Sequence, residues 1–375
     1  MTLSSRPDRP HSCHRSTACQ YWHVTDDFAN TAVNNAVSDS PFLAACRGEK
    51  SSHTPVWFMR QAGRSLPEYK TARAGTSMLD ACATPELVCE ITMQPVRRHG
   101  VDAAVFFSDI VVPLRAIGID VEIVPGTGPV IANPVRTKAD LNRLRDLEPD
   151  DVPYITEAVQ LLRQELGNTP LIGFAGAPFT LASYLIEGAP SRNYTHTKTM
   201  MRSHPELWNA IAERLATIAG QFLRVQVEAG AQAVQLFDSW AGALSEADYR
   251  SLALPHSRAA LNAVSGEVPS IHFGVGTTHL LEAMSEVGTD VMGIDWRTPL
   301  SQASQRLPGR PLQGNLDPTA ALADEKPMLA EVDDVLAEAA ELPGHIFNLG
   351  HGVLPETNPD ALTRITEYVH EKTAV

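Results

Sequence analysis

Residues 270–294 read SIHFGVGTTHLLEAMSEVGTDVMGI. A β-rich run, Ser270–Phe273, leads through a Gly-bearing turn into helical spacing at His279–Val287, and a second run, Val291–Ile294, follows at once. Such βα units pair their strands in parallel. Working outward, the same theme recurs in the runs Val56–Met59, Ala103–Phe107, Leu171–Phe174, Ala233–Phe237, Pro311–Gln313 and His345–Leu349, with a long amphipathic pattern over Pro205–Ala229. Eight runs alternating with helices predict a closed (β/α)₈ barrel (TIM barrel) of the α/β class, an open doubly wound sheet being the alternative. Val121–Pro134, with Gly126-Thr127-Gly128 between β-branched stretches, predicts a β-hairpin inserted after the second strand. Its Gly-x-Gly is a turn, since no helix follows it directly.

The 375 residues hold 30 Lys+Arg against 44 Asp+Glu, a net charge of −14. That balance argues against nucleic acid as a partner, because phosphate neutralisation needs a basic face. No window of about eighteen uninterrupted apolar residues occurs. Even Leu171–Ile186 is broken by Pro178, Thr180 and Ser183, so a membrane partner is not expected either. Five cysteines form no dense framework and no secretory signal opens the chain, which fits a reducing cytoplasm. Residues 1–38 lack sustained apolar periodicity and read as a disordered extension, leaving 39–375 as the barrel domain. His11, Cys13, His14 and Cys19 match no standard zinc spacing.

In such a barrel, chemistry sits just past the carboxyl ends of the strands. Those positions carry Arg60, Gln61 and Arg64; Ser108-Asp109; Gly176-Ala177-Pro178 with Tyr184 beyond; Asp238-Ser239-Trp240; Gly274, Asp295, Asn315 and Asp317; and Gly350-His351-Gly352. On residue type alone, Arg60 and Arg64 are surface arginines paired with Glu68 or a helix end. By the same token Asp109 is an N-cap, Tyr184 a core tyrosine and Ser239 a cap after Asp238.

Five segments reverse that reading. PVWFMRQAGRSLPEY at 55–69 and GFAGAPFTL at 173–181 resemble two signatures of the uroporphyrinogen decarboxylase family. FSDI at 107–110, FDSWAG at 237–242 and NLGHG at 348–352 are similar to further segments of it, in the same order. The resemblance spans residue 40 to the C-terminus and itself implies a TIM barrel. It implies decarboxylation of the four acetate arms of uroporphyrinogen III to methyls, giving coproporphyrinogen III, in heme biosynthesis and with no cofactor. It also implies a cytoplasmic homodimer.

The site residues it implies are Arg60, Gln61, Ala62, Gly63, Arg64, Asp109, Tyr184, Ser239 and His351 for substrate binding, with Phe174 and Phe237 walling the pocket. Guanidinium forks suit the eight carboxylates of the substrate. Asp109 is the expected catalytic group: one carboxylate can accept several pyrrole N–H bonds and stabilise a cation as carbon dioxide departs. His351 is open between donor and binder.

Two other readings compete. A zinc-dependent corrinoid methyltransferase of the same fold needs a His-x-Cys pair late in the chain, whereas His272 is followed by Phe273-Gly274 and no cysteine occurs after Cys89. A non-catalytic tetrapyrrole-binding protein would keep Arg60 and Arg64 but have no use for Asp109.

Overall fold

Buried on both faces, as all six residues of Leu171–Gly176 are, a strand must have parallel neighbours and helices covering it. The computed structural model, which describes residues 37–63 and 65–375, shows that arrangement. Seven parallel strands are ordered β1-β4-β5-β6-β7-β8-β9: β1 (Ala104–Val105), β4 (Leu171–Gly176), β5 (Ala233–Asp238), β6 (Ser270–Gly274), β7 (Val291–Gly293), β8 (Leu312–Gln313) and β9 (His345–Ile346). Between β1 and β4 lies an antiparallel hairpin of β2 (Val121–Val124) and β3 (Gly128–Ile131), as the sequence predicts. Among the described residues the parallel sheet therefore has seven regular strands where eight were expected.

The missing one is Val56–Met59. Its pairing shrinks to a parallel bridge, Val56 with Phe347. Around that bridge, Phe347 N–H donates to Pro55 C=O (2.8 Å), Trp57 N–H to Phe347 C=O (3.2 Å), and Asp102 N–H to Val56 C=O (2.8 Å). Pro55 has no N–H to offer a ladder, and the chain turns away at Met59–Arg60, so no longer strand forms here. Residues 55–57 thus reach both β9 and the lead into β1.

Residues alternate across the sheet. Gln235 and Gln313, two strands apart from being neighbours, meet on the concave side: Gln313 Nε2 donates to Gln235 Oε1 (3.0 Å) and Trp57 Nε1 to Gln313 Oε1 (3.0 Å). Phe174 and Phe237 share that side. The convex side packs on helices, chiefly Pro205–Ala229. Gly173 lies so close to it that a Cβ there would sit 2.8 Å from Gln226 Oε1. The closeness has a use. β1 ends before it can reach the Phe174 N–H and C=O, and Gln226 takes both, accepting at 2.9 Å and donating at 3.0 Å. Buried backbone groups need such partners. No helix among the described residues is long and apolar enough to cross a membrane.

Candidate active site

After Pro55–Trp57 the chain makes a tight turn in which Gln61 N–H donates to Phe58 C=O at 2.9 Å. Gln61 is fully buried. Its Oε1 accepts from Phe58 N–H (2.9 Å) and its Nε2 donates to Ala103 C=O (3.2 Å), so its side chain fastens the turn to the start of β1. The sequence offers Gln61 as a substrate contact, and both ends of its amide have backbone partners here. Beside it Arg60 is exposed, with φ +61°, a left-handed conformation uncommon for a side-chain-bearing residue. Its stem runs against Gly352, where a Cβ would sit 2.5 Å from Arg60 Cδ. Gly352 is therefore the room that Arg60 occupies. Glu68, the partner a surface-arginine reading supplies, instead forks with Arg98 at 2.6 and 2.9 Å. Ala62 is half-buried and Gly63 buried within the same turn; Arg64 lies outside the described residues.

Past β1, the half-buried Asp109 opens a turn. Its Oδ1 accepts from Val111 N–H at 3.0 Å, one residue ahead of the helix Val112–Ala116. Its Oδ2 has no hydrogen-bond partner among the described residues. Val111, not Asp109, caps the helix, so the expected N-cap is instead a local turn made through Oδ1 alone. Burial raises the Asp109 pKa above the usual carboxylate range, against the pull of the Val111 N–H and the Arg60 charge.

Tyr184 projects from Pro178–Glu187, the helix after β4. Burial, and next the Asp109 charge, push its hydroxyl pKa well up, and the Arg60 charge opposes them. Asp109, Arg60 and Tyr184, dispersed over 124 positions of sequence numbering between Arg60 and Tyr184, are thus close enough to feel one another's charge. The Tyr184 ring lies on Trp240 (centroids 3.9 Å, 35°), which Tyr194 meets edge-on at 5.1 Å.

The turn after β5 is held from behind. Asp238 is fully buried and accepts from Thr180 Oγ1 at 2.9 Å, and Thr180 Oγ1 accepts from Trp240 N–H at 3.3 Å. Ser239 sits half-buried on that turn, its hydroxyl without a protein partner among the described residues. Phe174 and Phe237 form an edge-on pair (5.4 Å, 86°), continued by Phe273 at 6.2 Å. The three rings form a continuous aromatic cluster along the strand ends. His351 accepts from Gly352 N–H at Nδ1 (2.7 Å), which leaves Nε2 to carry the proton of the neutral ring. Its ring meets Trp296 edge-on at 6.2 Å.

Trp240 was counted among the strand-end positions but given no role, and Trp296 was not named from sequence. Both follow strand ends, β5 and β7, and that position is the signal that would have found them. Metal-type ligands do not gather at this rim among the described residues. His272, placed by register beside Leu236 and one step from Asp238, is fully buried on the convex side, with Nε2 3.8 Å from Asp238 Oδ2. The three-ligand group found among the described residues is His53, Asp102 and His370, at the opposite ends of the strands.

Residues 37–372 match the family described as uroporphyrinogen decarboxylase (URO-D). The uroporphyrinogen decarboxylase of Streptomyces griseus is 64% identical over 345 residues, covering 92% of this chain and 94% of that protein. That of Streptomyces coelicolor is 65% identical over 340 residues, 90% of this chain and 96% of its own. Among solved structures, a methyltransferase from Methanosarcina mazei superposes with a TM-score of 0.73 over 88% of this chain and 98% of that one; at 17% identity the likeness is one of fold.

Proposed function

The chain belongs to the uroporphyrinogen decarboxylase family, and we propose that it converts uroporphyrinogen III to coproporphyrinogen III by removing the carboxyl of each acetate arm. The observation that carries this reading is the unshared Oδ2 of Asp109, half-buried beside Arg60 and Tyr184. Pyrrole N–H groups of the macrocycle are donors that such an oxygen accepts. A proton added to a pyrrole carbon turns the ring into a cationic electron sink. The bond to the acetate carboxyl then breaks, its electron pair passes to the ring, and carbon dioxide leaves. Protonation of the resulting methylene and loss of the ring proton complete the methyl, so each arm consumes one proton net. Asp109 stabilises the transient cation.

Arg60, with Arg64 from the same segment, holds acetate and propionate carboxylates. Tyr184, Ser239 and His351 donate to them, and Ala62 and Gly63 let the ring approach the backbone. Gln61 acts by fastening the turn that presents Arg60. Phe174 and Phe237 keep water from the reacting carbon. The proposed chemistry calls on no cofactor.

For the scaffold, the bonds from Pro55–Trp57 to both β9 and the lead into β1 support a closed (β/α)₈ barrel with residues 39–375 as one domain. A cytoplasmic homodimer follows from the resemblance, and sedimentation checks the dimer. The decisive assay is anaerobic incubation with uroporphyrinogen III, with chromatography for the hepta-, hexa-, penta- and tetracarboxylate products. Unchanged substrate would sink the proposal and leave a binding protein.

A further inference from the structure

We propose that His53, Asp102 and His370 form a binding site for a divalent transition metal, with Zn²⁺ the best fit, at the amino ends of the strands. The site goes beyond the decarboxylation reading and does not depend on it. Three separate segments supply it: the lead into residues 55–57, the lead into β1, and the C-terminal helix Pro359–Thr373. His53 Nε2 lies 2.8 Å from Asp102 Oδ1 and His370 Nε2 2.7 Å from Asp102 Oδ2. All three ligand atoms lie within 4.8 Å of one another.

Two imidazole nitrogens and a carboxylate suit zinc, with a fourth position for water. All three residues are partly exposed, so water can reach it. Ligand atoms around a tetrahedral zinc are about 3.3 Å apart, given Zn–N of about 2.0–2.1 Å. The two His–Asp contacts are therefore proton-bridged distances that must open by roughly half an ångström as the ion replaces the bridging protons. In a neutral ring the proton moves from Nε2 to Nδ1, freeing the Nε2 lone pair; a protonated ring releases one proton.

The surroundings already provide for that exchange. Ser52 Oγ is 3.0 Å from His53 Nδ1 and can pass from donor to acceptor, which fixes the metal-binding tautomer. Asp102 Oδ2 also accepts from Val56 N–H at 2.7 Å, so the carboxylate is aimed before any ion arrives. The two imidazoles meet at 61° with centroids 4.3 Å apart, each bringing its Nε2 to one oxygen of the same carboxylate without stacking face to face. A groove of about 700 Å³ is lined by Ser51, Thr54, Lys372 and Thr373 among others, residues adjacent in sequence to His53 and His370. A metal here would tie the C-terminal helix to both barrel-forming segments.

The test uses the full-length chain treated with a thiol-alkylating reagent, so that cysteine thiolates do not compete for zinc. Zinc retained after dialysis is measured in the wild type, His53→Gln and His370→Gln. Glutamine keeps an amide N–H within reach of Asp102 but removes the ring nitrogen. The expected result is one more zinc per chain in the wild type than in either variant, and a melting temperature that rises with zinc only in the wild type. Equal retention and equal shifts in all three would overturn the site, as would no retention in the wild type. If a variant fails to fold, zinc X-ray absorption on the loaded wild type decides: two imidazoles with oxygen ligands support the site, and sulfur or absent imidazole refutes it.

Discussion

Asp109→Asn isolates charge from shape. The asparagine carbonyl can still accept from Val111 N–H, so the turn ahead of Val112–Ala116 is kept while the negative charge is lost. For a unit cation about 4 Å from the carboxylate at an effective dielectric near 20, the lost attraction is roughly 4 kcal/mol. If it acts only in the transition state, that is about a thousandfold in kcat. Substrate binding also loses the pyrrole N–H bonds to a charged acceptor, and an expected increase in KM of about tenfold or less corresponds to roughly 1.4 kcal/mol. The assay is anaerobic single-turnover conversion of uroporphyrinogen III to the heptacarboxylate product, with stability checked in parallel. Because burial raises the Asp109 pKa in the folded chain, its ionisation opposes folding. The sign follows from linkage: its favourable contribution is present below the unfolded carboxyl pKa and is lost as pH rises through the raised folded one. Asp109→Asn should therefore be at least as stable as the wild type at neutral pH, its advantage shrinking in acid. A variant that folds and turns over within tenfold of the wild type would refute the assigned role.

Gln226→Leu should lose about 2–5 kcal/mol in urea unfolding, because it strands the Phe174 N–H and C=O in the interior; a loss below about 1 kcal/mol would mean the strand repairs itself. Gly352→Ala places a methyl against the Arg60 stem and should raise KM severalfold with little change in kcat, read by steady-state kinetics. Arg64→Ala should raise KM and alter which partly decarboxylated products accumulate; unchanged kinetics would return Arg64 to the protein surface. Chelator treatment should leave the initial rate intact wherever the chain stays folded, and metal-dependent loss of that rate would sink the cofactor-free account.

The strands β4, β5 and β6 were legible because a strand buried on both faces has to be apolar nearly throughout, and such a run survives without knowledge of its neighbours. Val56–Met59 looked the same in sequence. Its shortening depends on the left-handed turn at Arg60 and on what Phe347 and Asp102 offer across space, and apolar content carries neither. The residues of the rim were legible as positions, since strand ends can be counted. Their division of labour was not. Gln61 stands in the family-like segment yet spends both ends of its amide on backbone, and Gln226 lies in the last turn of a helix yet completes a strand. A polar side chain bonded to distant backbone leaves no periodic trace. The His53, Asp102 and His370 cluster is illegible for the same reason, being assembled from three segments that adjoin only in the fold.

The raised pKa of Asp109 and its proposed work have one physical cause. Surrounding the carboxylate with protein removes water that would stabilise its charge, and the same removal lowers the effective dielectric through which it acts on a cation above it. A carboxylate left fully in water would ionise easily and attract weakly. Buried with no help, it would keep its proton and attract nothing. Here the Val111 N–H and the Arg60 guanidinium both oppose the upward shift. The N–H engages Oδ1 alone, so what helps to keep the group charged leaves Oδ2 for the proposed contact with the substrate. In the proposed reading Arg60 does double duty, because the positive charge that favours ionised Asp109 would also attract the carboxylates of the macrocycle. A chain with a net charge of −14 can therefore bind an octa-anion: exposed charges beyond roughly 8–10 Å are screened by salt, and the local field is set by the few groups at the rim.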